Sequence, residues 1–196
     1  MREKNGVMAQ RRELTKDMAI CGLFASLIAV GAFLKIVIPV GVDTMNFTLQ
    51  WLFVLLAGLL LGSKRAFYSV TTYLVIGLVG FPVFARGGGP AYLIRPTFGF
   101  LLGFAGAAYT TGTLSERLHR HTFLNLLAAA FAGMMVMYLS GMLYFYFISN
   151  YVISMPVTWG IVLVNCFLLT VGGDFLLCVL ASALAVRLLP ILQKIR

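Results

Sequence analysis

The chain has 196 residues, of which 61% are apolar and only 11% are charged. A soluble domain is usually about 45–50% apolar and about 25% charged, so much of this apolar surface must face lipid. The apolar runs are long and continuous rather than alternating, which excludes a membrane β-barrel and leaves α-helices as the spanning elements. The net charge of +9 is therefore expected to orient the chain in a membrane, and nucleic-acid binding is not expected.

The sequence predicts an all-α polytopic membrane protein with six transmembrane helices. A span needs roughly 20 apolar residues. The predicted spans, in chain order, cover residues 17–38, 47–62, 66–84, 96–114, 123–149 and 174–190. Pro39 ends the first, and Pro96 suits the first turn of the fourth because proline lacks the N–H that a helix start leaves unpaired. The predicted membrane domain, 17–190, follows an N-terminal segment 1–16 and precedes a tail 191–196.

The region before the last span is compatible with two arrangements. One long helix can run through Gly172 and Gly173. Alternatively, residues 156–170 form an outer, partly re-entrant helix, and the sixth span begins at Asp174. We prefer the second arrangement, because an Asp at a helix start accepts hydrogen bonds from unpaired backbone N–H groups and lies at the positive end of the helix dipole.

The basic residues predict which way the chain faces. With six spans and a cytoplasmic N-terminus, inner segments hold 12 of the 15 Lys and Arg residues, as expected when positive charge stays inside. Both termini are therefore predicted to be cytoplasmic. Lys35, Arg86 and Arg95 fall in the outer half, so their charges must serve another purpose.

The predicted outer loop, residues 85–95, has an unusual composition. It holds Tyr92, the arginines Arg86 and Arg95, and three consecutive glycines centred on Gly88. Glycine lets the backbone approach a ligand closely, and the planar guanidinium of arginine matches a carboxylate. The loop is predicted to form one wall of a pocket for a small anion. The alternative is an interfacial turn whose arginines meet lipid headgroups.

Two further polar residues lie toward the predicted outer face. Asp174 is ionisable within apolar sequence, which makes it a functional candidate by default; helix capping and an ion pair with Arg86 or Arg95 are alternatives. Gln50 begins the second span, where it can line a cavity or cap the helix. No HExxH, GxSxG or Walker motif is present, so neither catalytic residues nor a metal or cofactor site is predicted.

The first span carries two pairs of small residues at helical spacing. They are Gly22 with Ser26, and Ala25 with Ala29. Pairs of this kind let another helix approach closely. The neighbouring helix can belong to a partner protein or to this chain.

Several segments resemble the BioY family of biotin transporters. The similar segments are Ile38-Pro39 with residues 46–62, residues 78–89, residues 96–104, and Gly172-Gly173-Asp174, which resembles a Pro-Gly-Asp element at the start of that family's last helix. The resemblance extends from about residue 15 to residue 190 and is weakest in the fifth span.

The resemblance implies a function in transport. Members of the family look like substrate-binding (S) components of energy-coupling factor (ECF) transporters. Such a protein would capture biotin at the outer face of a prokaryotic plasma membrane, and a transmembrane coupling protein with two ATPase subunits would power its release inside. The alternatives are an S component for another small carboxylated vitamin and, from a different class, a membrane-embedded lipid-modifying enzyme.

The resemblance also suggests roles for particular residues. The expected substrate-binding residues are Asp174, Arg95, Arg86, Tyr92, Gln50, Thr97 and Gly88, and the expected contacts with the coupling protein are Gly22, Ser26, Ala25 and Ala29. Asp174 would accept hydrogen bonds from the ureido N–H groups of biotin, and an arginine would bind its carboxylate. The family usually has a lysine one helical turn after the aspartate. Leu177 occupies that position here, which makes Arg95 the candidate for the missing cation.

Overall fold

The structure, a computed structural model, describes residues 2–40, 43–118 and 120–195, and within these ranges it is dominated by helices. The helices are α1 Arg2–Phe33, α2 Gln50–Leu61, α3 Ser63–Val79, α4 Phe98–Arg117, α5 Phe123–Phe147, α6 Trp159–Leu163 and α7 Val171–Ile195. The strands β1 Lys35–Val40 and β2 Asp43–Thr48 form an antiparallel hairpin. Apart from the short α6, the described helices number six, which confirms the predicted six-helix fold.

Large apolar side chains cover the outside of the bundle. Leu139, Leu176 and Val79 are 63%, 57% and 73% exposed, which suits a surface that faces lipid rather than water. Three helical stretches in the described part of the chain are long and apolar enough to cross a membrane, namely Arg11–Phe33, Phe123–Val152 and Trp159–Leu192.

Helix α2 forms the centre of the bundle. It has only 12 residues, and it packs against α1, α3, α4 and α7. Trp51, Val54 and Leu55 are among its buried side chains, and the Trp51 ring stacks on Phe104 of α4 with centroids 5.7 Å apart. Because α2 is surrounded by helices, its continuous apolar sequence is explained by burial in the protein.

The predicted C-terminal end of the first span is wrong. Helix α1 ends at Phe33, and the chain then forms β1 instead of continuing as helix to Ile38. The β-branched residues of β1 favour extended backbone, and Pro39 lacks the N–H that a helix interior needs. The hairpin lies against the loop after α3, because the Lys35 ammonium group donates a hydrogen bond to the carbonyl of Ala85.

Helix α1 begins at Arg2, well before the predicted start of the first span at residue 17. The limits of the other helices differ from the predicted spans by a few residues. Helix α2 begins at Gln50, α3 ends at Val79, and α4 runs from Phe98 to Arg117. Gly80, with φ +123°, ends α3, because glycine adopts positive φ without steric strain. The predicted outer loop contains one 3₁₀ turn, Pro90–Ile94.

The segment after α5 is held against that helix by the Asn150 side chain and by a pair of stacked rings. A π-helical turn, Ile148–Val152, extends α5. The Asn150 side chain then donates to the carbonyl of Val157 and accepts from its N–H, both at 3.1 Å. The rings of Tyr146 and Trp159 stack with centroids 4.2 Å apart, which fixes α6 on α5.

Helix α7 begins at Val171 rather than at Asp174. Gly172 and Gly173 lie in its first turn together with Asp174 and do not interrupt the helix. A second π-helical turn, Val164–Leu168, follows directly on α6. The predicted outer helix 156–170 therefore corresponds to α6 and this turn, and the point at which the chain leaves the membrane stays a prediction.

The α2–α3 turn is fixed by charged contacts. Both the backbone N–H and the hydroxyl of Ser63 donate to the Glu116 carboxylate of α4, at 2.9 Å each. Arg65 pairs with Asp17 of α1, with Nη2 and Oδ1 2.7 Å apart. These contacts mark the turn end of the bundle, and the β1–β2 hairpin marks the opposite, hairpin end. That the turn end faces the cytoplasm stays a prediction from charge.

Helix α4 crosses the α2–α3 turn at Gly112, and substitution there should destabilise the fold. A Cβ atom at Gly112 would lie 2.5 Å from the nitrogen and 2.6 Å from the Cα of Ser63, and backbone atoms cannot rotate away. We predict that Gly112→Ala lowers the free energy of unfolding by about 1–3 kcal/mol, measured by thermal or denaturant unfolding in detergent. Gly22→Ala is the matched control, because its Cβ would have no atom within 4 Å. Equal stability of the two variants would show that α4 can shift away from the turn.

Candidate functional site

A cavity lies at the hairpin end of the bundle. Its walls come from the hairpin, from the loop between α3 and α4, and from helices α2, α4, α5 and α7; the lining residues are Phe47, Thr48, Gln50, Ala85, Tyr92, Thr97, Phe100, Leu101, Phe104, Met137, Thr170 and Asp174. Most of them are apolar or aromatic and a few are polar, as is usual for small-molecule sites. Four predicted substrate-binding residues come together here, namely Asp174, Gln50, Tyr92 and Thr97.

Asp174 provides the carboxylate of this cavity. It lies in the first turn of α7 and is only 8% exposed. Its Oδ2 atom accepts a hydrogen bond of 2.5 Å from the hydroxyl of Tyr138 on α5. The Tyr138 oxygen lies 2.9 Å from the hydroxyl of Thr170, which is also 3.0 Å from the carbonyl of Cys166. A buried carboxylate is tolerated only when it is hydrogen-bonded, and the Tyr138 hydroxyl supplies such a bond to Oδ2.

The sequence prediction did not include Tyr138. The tyrosine lies in α5, whose apolar sequence gives no local sign of a site, and it is one of 8 tyrosines in the chain. The only signal in the sequence is a polar hydroxyl within an apolar span, and this does not show which residue the hydroxyl contacts. The contact with Asp174 depends on how α5 and α7 pack, which one sequence does not specify.

Gln50 is the second buried polar residue of the cavity wall and is only 2% exposed. Its Nε2 atom donates to the hydroxyl of Tyr73 on α3. The Thr48 hydroxyl donates to Gln50 Oε1 at 3.3 Å, and the Tyr73 hydroxyl donates to the carbonyl of Val83 at 3.4 Å. The orientation of the Gln50 amide is therefore fixed from both sides. Lining the cavity, which was one of two predicted roles, is the role the structure shows.

Tyr92 separates this cavity from a second one. It is 5% exposed and packs against Phe84, with ring centroids 4.7 Å apart. The second cavity is lined by Arg86, Gly88, Ala91, Tyr92, Ile94, Arg95, Pro96 and Ile153. The Arg95 guanidinium carbon lies 5.3 Å from the centroid of the Tyr92 ring, a cation–π contact. Three predicted site residues, Arg86, Gly88 and Arg95, thus line the neighbouring cavity and not the one that contains Asp174.

An ion pair between Asp174 and an outer arginine, one of the alternatives that the sequence left open, is not found among the described residues. Asp174 bonds to Tyr138, and the two ion pairs found among the described residues join Lys16 to Glu13 and Arg65 to Asp17. Tyr92 lies between the arginine side of the loop and the aspartate, which explains why these charges do not meet.

The site and the fold can be compared with known proteins. A sequence profile of the BioY family matches residues 2–194. The chain is 38% identical over 186 residues to a probable biotin transporter BioY of Lysinibacillus sphaericus, which covers 95% of this chain and 93% of the relative.

The chain belongs to the BioY family. The biotin transporter BioY of Thermotoga maritima is 36% identical, over 88% of this chain and 95% of the relative. The crystal structure of the S component for biotin from an ECF-type ABC transporter matches this structure with a TM-score of 0.79, over 90% of this chain and 92% of that chain, at 24% identity. The predicted family and the predicted membrane-helix fold are therefore confirmed.

Leu177, the residue that departs from the family pattern, lies inside the bundle of this BioY chain. It is 4% exposed and belongs to the apolar core. It does not line the cavity that contains Asp174. The side chain that contacts the Asp174 carboxylate is therefore the hydroxyl-bearing Tyr138 and not a cation.

The two small-residue pairs on α1 of this BioY chain have different surroundings. Gly22 and Ser26 are exposed, and the Ser26 hydroxyl donates to the Gly22 carbonyl at 2.9 Å. Ala25 is 5% exposed, and Ala29 is half-buried against the core. Because α1 packs on α2 and α3, the alanine pair faces its own bundle, and Gly22 with Ser26 faces outward.

Proposed function

We propose that this protein is the biotin-capturing S component of an ECF-type vitamin importer in a prokaryotic plasma membrane. The observation that carries the proposal is the buried Asp174 carboxylate in a cavity that is mostly apolar and aromatic. Membership of the BioY family supports it, since several relatives bear the name biotin transporter.

The cavity suits the chemistry of biotin. The ureido ring offers two N–H donors, and an ionised carboxylate such as Asp174 only accepts hydrogen bonds. Phe47, Phe100 and Phe104 supply apolar surface for the fused rings. Gln50, whose amide is held by Tyr73 and Thr48, lies on the same cavity wall and offers further polar contact.

The negative charge of Asp174 also determines which end of biotin lies beside it. The carboxylate at the end of the biotin tail is repelled by Asp174 and attracted by cations. Arg86 and Arg95 line the adjoining cavity, with Tyr92 as the shared wall. We therefore place the ureido ring beside Asp174 and the tail carboxylate beyond Tyr92, near the two arginines.

The remaining assignments concern orientation and partners. The hairpin end faces outward, and both termini lie in the cytoplasm.

The chain has no ATP-binding motif, so a transmembrane coupling protein and two ATPase subunits supply the energy. The coupling protein packs on the exposed side of α1 at Gly22 and Ser26, where a neighbouring helix can approach closely. Ala25 and Ala29, by contrast, serve packing within the chain.

The first test is biotin binding by purified protein in detergent. We predict saturable binding to the unaltered chain, and a loss of about tenfold or more in affinity for Asp174→Asn, because hydrogen bonds to charged groups contribute about 1.5–3 kcal/mol. The asparagine is nearly isosteric, so the variant should fold, which its thermal unfolding profile checks. Titration calorimetry or labelled biotin gives the affinity.

The same assay separates the alternatives. Binding of a different carboxylated vitamin in preference to biotin would assign another substrate to this S component. Chemical conversion of added lipid without biotin binding would instead favour an enzyme. Equal biotin affinity for the unaltered chain and Asp174→Asn would remove Asp174 from the site.

Arg95→Ala tests the proposed position of the tail carboxylate. We predict about a tenfold loss of biotin affinity, because a charge-assisted bond to the carboxylate is lost. The affinity for biotin amide, which has no tail charge, should change little. Arg117→Ala at the turn end, an exposed residue in the last turn of α4, is the matched control. A similar loss for both ligands would show that Arg95 acts on the fold of the loop.

Gly22→Phe tests the proposed contact with the coupling protein. We predict that biotin uptake by cells supplying the ECF subunits falls about tenfold or more, because a bulky side chain blocks close helix packing. Biotin binding by the isolated variant should stay unchanged, since Gly22 is far along α1 from the hairpin. Leu139→Phe, at a residue 63% exposed on α5, is the control. Normal uptake by the Gly22 variant would move the interface elsewhere.

A further inference from the structure

The two oxygens of Asp174 have different surroundings. Oδ2 accepts the hydrogen bond of 2.5 Å from Tyr138. No side chain in the described part of the structure donates to Oδ1, and this atom is not among those fully enclosed without a partner. Since Asp174 lines the cavity, Oδ1 is the oxygen that a bound molecule can reach.

The hydroxyls around Asp174 have few protons to give. The one hydroxyl proton of Tyr138 is donated to Oδ2 of Asp174. The Thr170 hydroxyl lies 2.9 Å from the Tyr138 oxygen and 3.0 Å from the carbonyl of Cys166, and these two acceptors share its single proton. Neither hydroxyl therefore has a proton left for Oδ1.

The Tyr138 ring is held firmly by its neighbours. It is 2% exposed and meets Phe100 and Phe167 edge to face, with centroids 6.2 Å and 5.0 Å away. Phe100 itself lines the cavity. The position of the phenolic oxygen is therefore set by packing before any ligand binds, and it fixes the carboxylate in turn.

We propose, on the basis of the function proposed above, that Tyr138 is a positioning residue that selects ligands with a free ureido N–H. By holding Oδ2, it prevents the carboxylate from rotating and presents Oδ1 as a single oriented acceptor. A ligand that offers an N–H at that point gains a hydrogen bond without the cost of ordering the aspartate. A ligand that is alkylated at that nitrogen leaves Oδ1 without a donor, and a desolvated acceptor is unfavourable.

The experiment compares two ligands on four forms of the full-length protein. The ligands are biotin and a biotin analogue methylated at both ureido nitrogens, and the proteins are the unaltered chain, Tyr138→Phe, Asp174→Asn and the double variant. We expect Tyr138→Phe to lower biotin affinity about tenfold and to change the affinity for the analogue less than about twofold. In the Asp174→Asn background the same change should have no further effect on biotin, because Tyr138 acts through Asp174.

A purely structural role for Tyr138 predicts a different result. Biotin and the analogue would then lose affinity equally, and the effects of the two substitutions would multiply; either finding overturns the inference. Tyr146→Phe, the same substitution on the same helix at a ring stacked on Trp159, is the matched control and should leave both affinities unchanged.

Failure of this inference can be told apart from failure of the proposed function. An unaltered chain that does not bind biotin refutes the function. An unaltered chain that binds biotin, is weakened by Asp174→Asn and is unaffected by Tyr138→Phe refutes only the role of Tyr138. If Tyr138→Phe does not fold, Thr170→Val removes the hydroxyl that contacts the Tyr138 oxygen. It should lower biotin affinity about threefold, and only while Asp174 is present; a loss that persists with Asp174→Asn overturns the inference.

Discussion

A carboxylate within a membrane domain must find its hydrogen-bond donors in the protein, because the surrounding lipid has none. In this chain the donor is Tyr138, and the bond joins α5 to the first turn of α7. Much of the hairpin end is arranged around this contact. Thr170 supports the tyrosine from the segment before α7, and Phe100 of α4 packs on its ring and also lines the cavity. The arrangement of the candidate site and the packing of three helices thus share the same hydroxyl.

The two ends of the bundle are built differently, in keeping with their proposed tasks. At the turn end, Ser63 is held by two bonds to Glu116, and Arg65 pairs with Asp17. These contacts join α3 to α4 and to α1. At the hairpin end, short segments replace helix, and Tyr92 divides the space into an aspartate side and an arginine side. A molecule with a neutral, N–H-bearing head and an anionic tail matches this division of charge.

The sequence was sufficient to predict the helices and part of the site, for physical reasons that also explain the errors. Hydropathy locates apolar runs, so the six helices were found, although α1 begins at Arg2 within a polar segment that hydropathy does not mark. It does not distinguish a β-branched strand from the end of a helix, and the first span was therefore extended through β1 to Ile38. Asp174 and Gln50 were found because polar groups are rare in apolar sequence. The bond between Asp174 and Tyr138 was missed, and an ion pair with Arg86 or Arg95 was left open as an alternative, because both depend on how helices are rotated against each other and on the burial of Tyr92.

The central position of α2 has a consequence for the order in which the protein is assembled. At about 1.5 Å per residue, a helix of 12 residues is about 18 Å long, well short of the roughly 30 Å hydrocarbon core. It is joined to α3 through Gly62 alone. Its packing partner α7 is synthesised after all the other helices of the bundle. The cavity therefore acquires its aspartate only once α7 has been made, and a nascent chain that lacks α7 leaves one side of α2 uncovered.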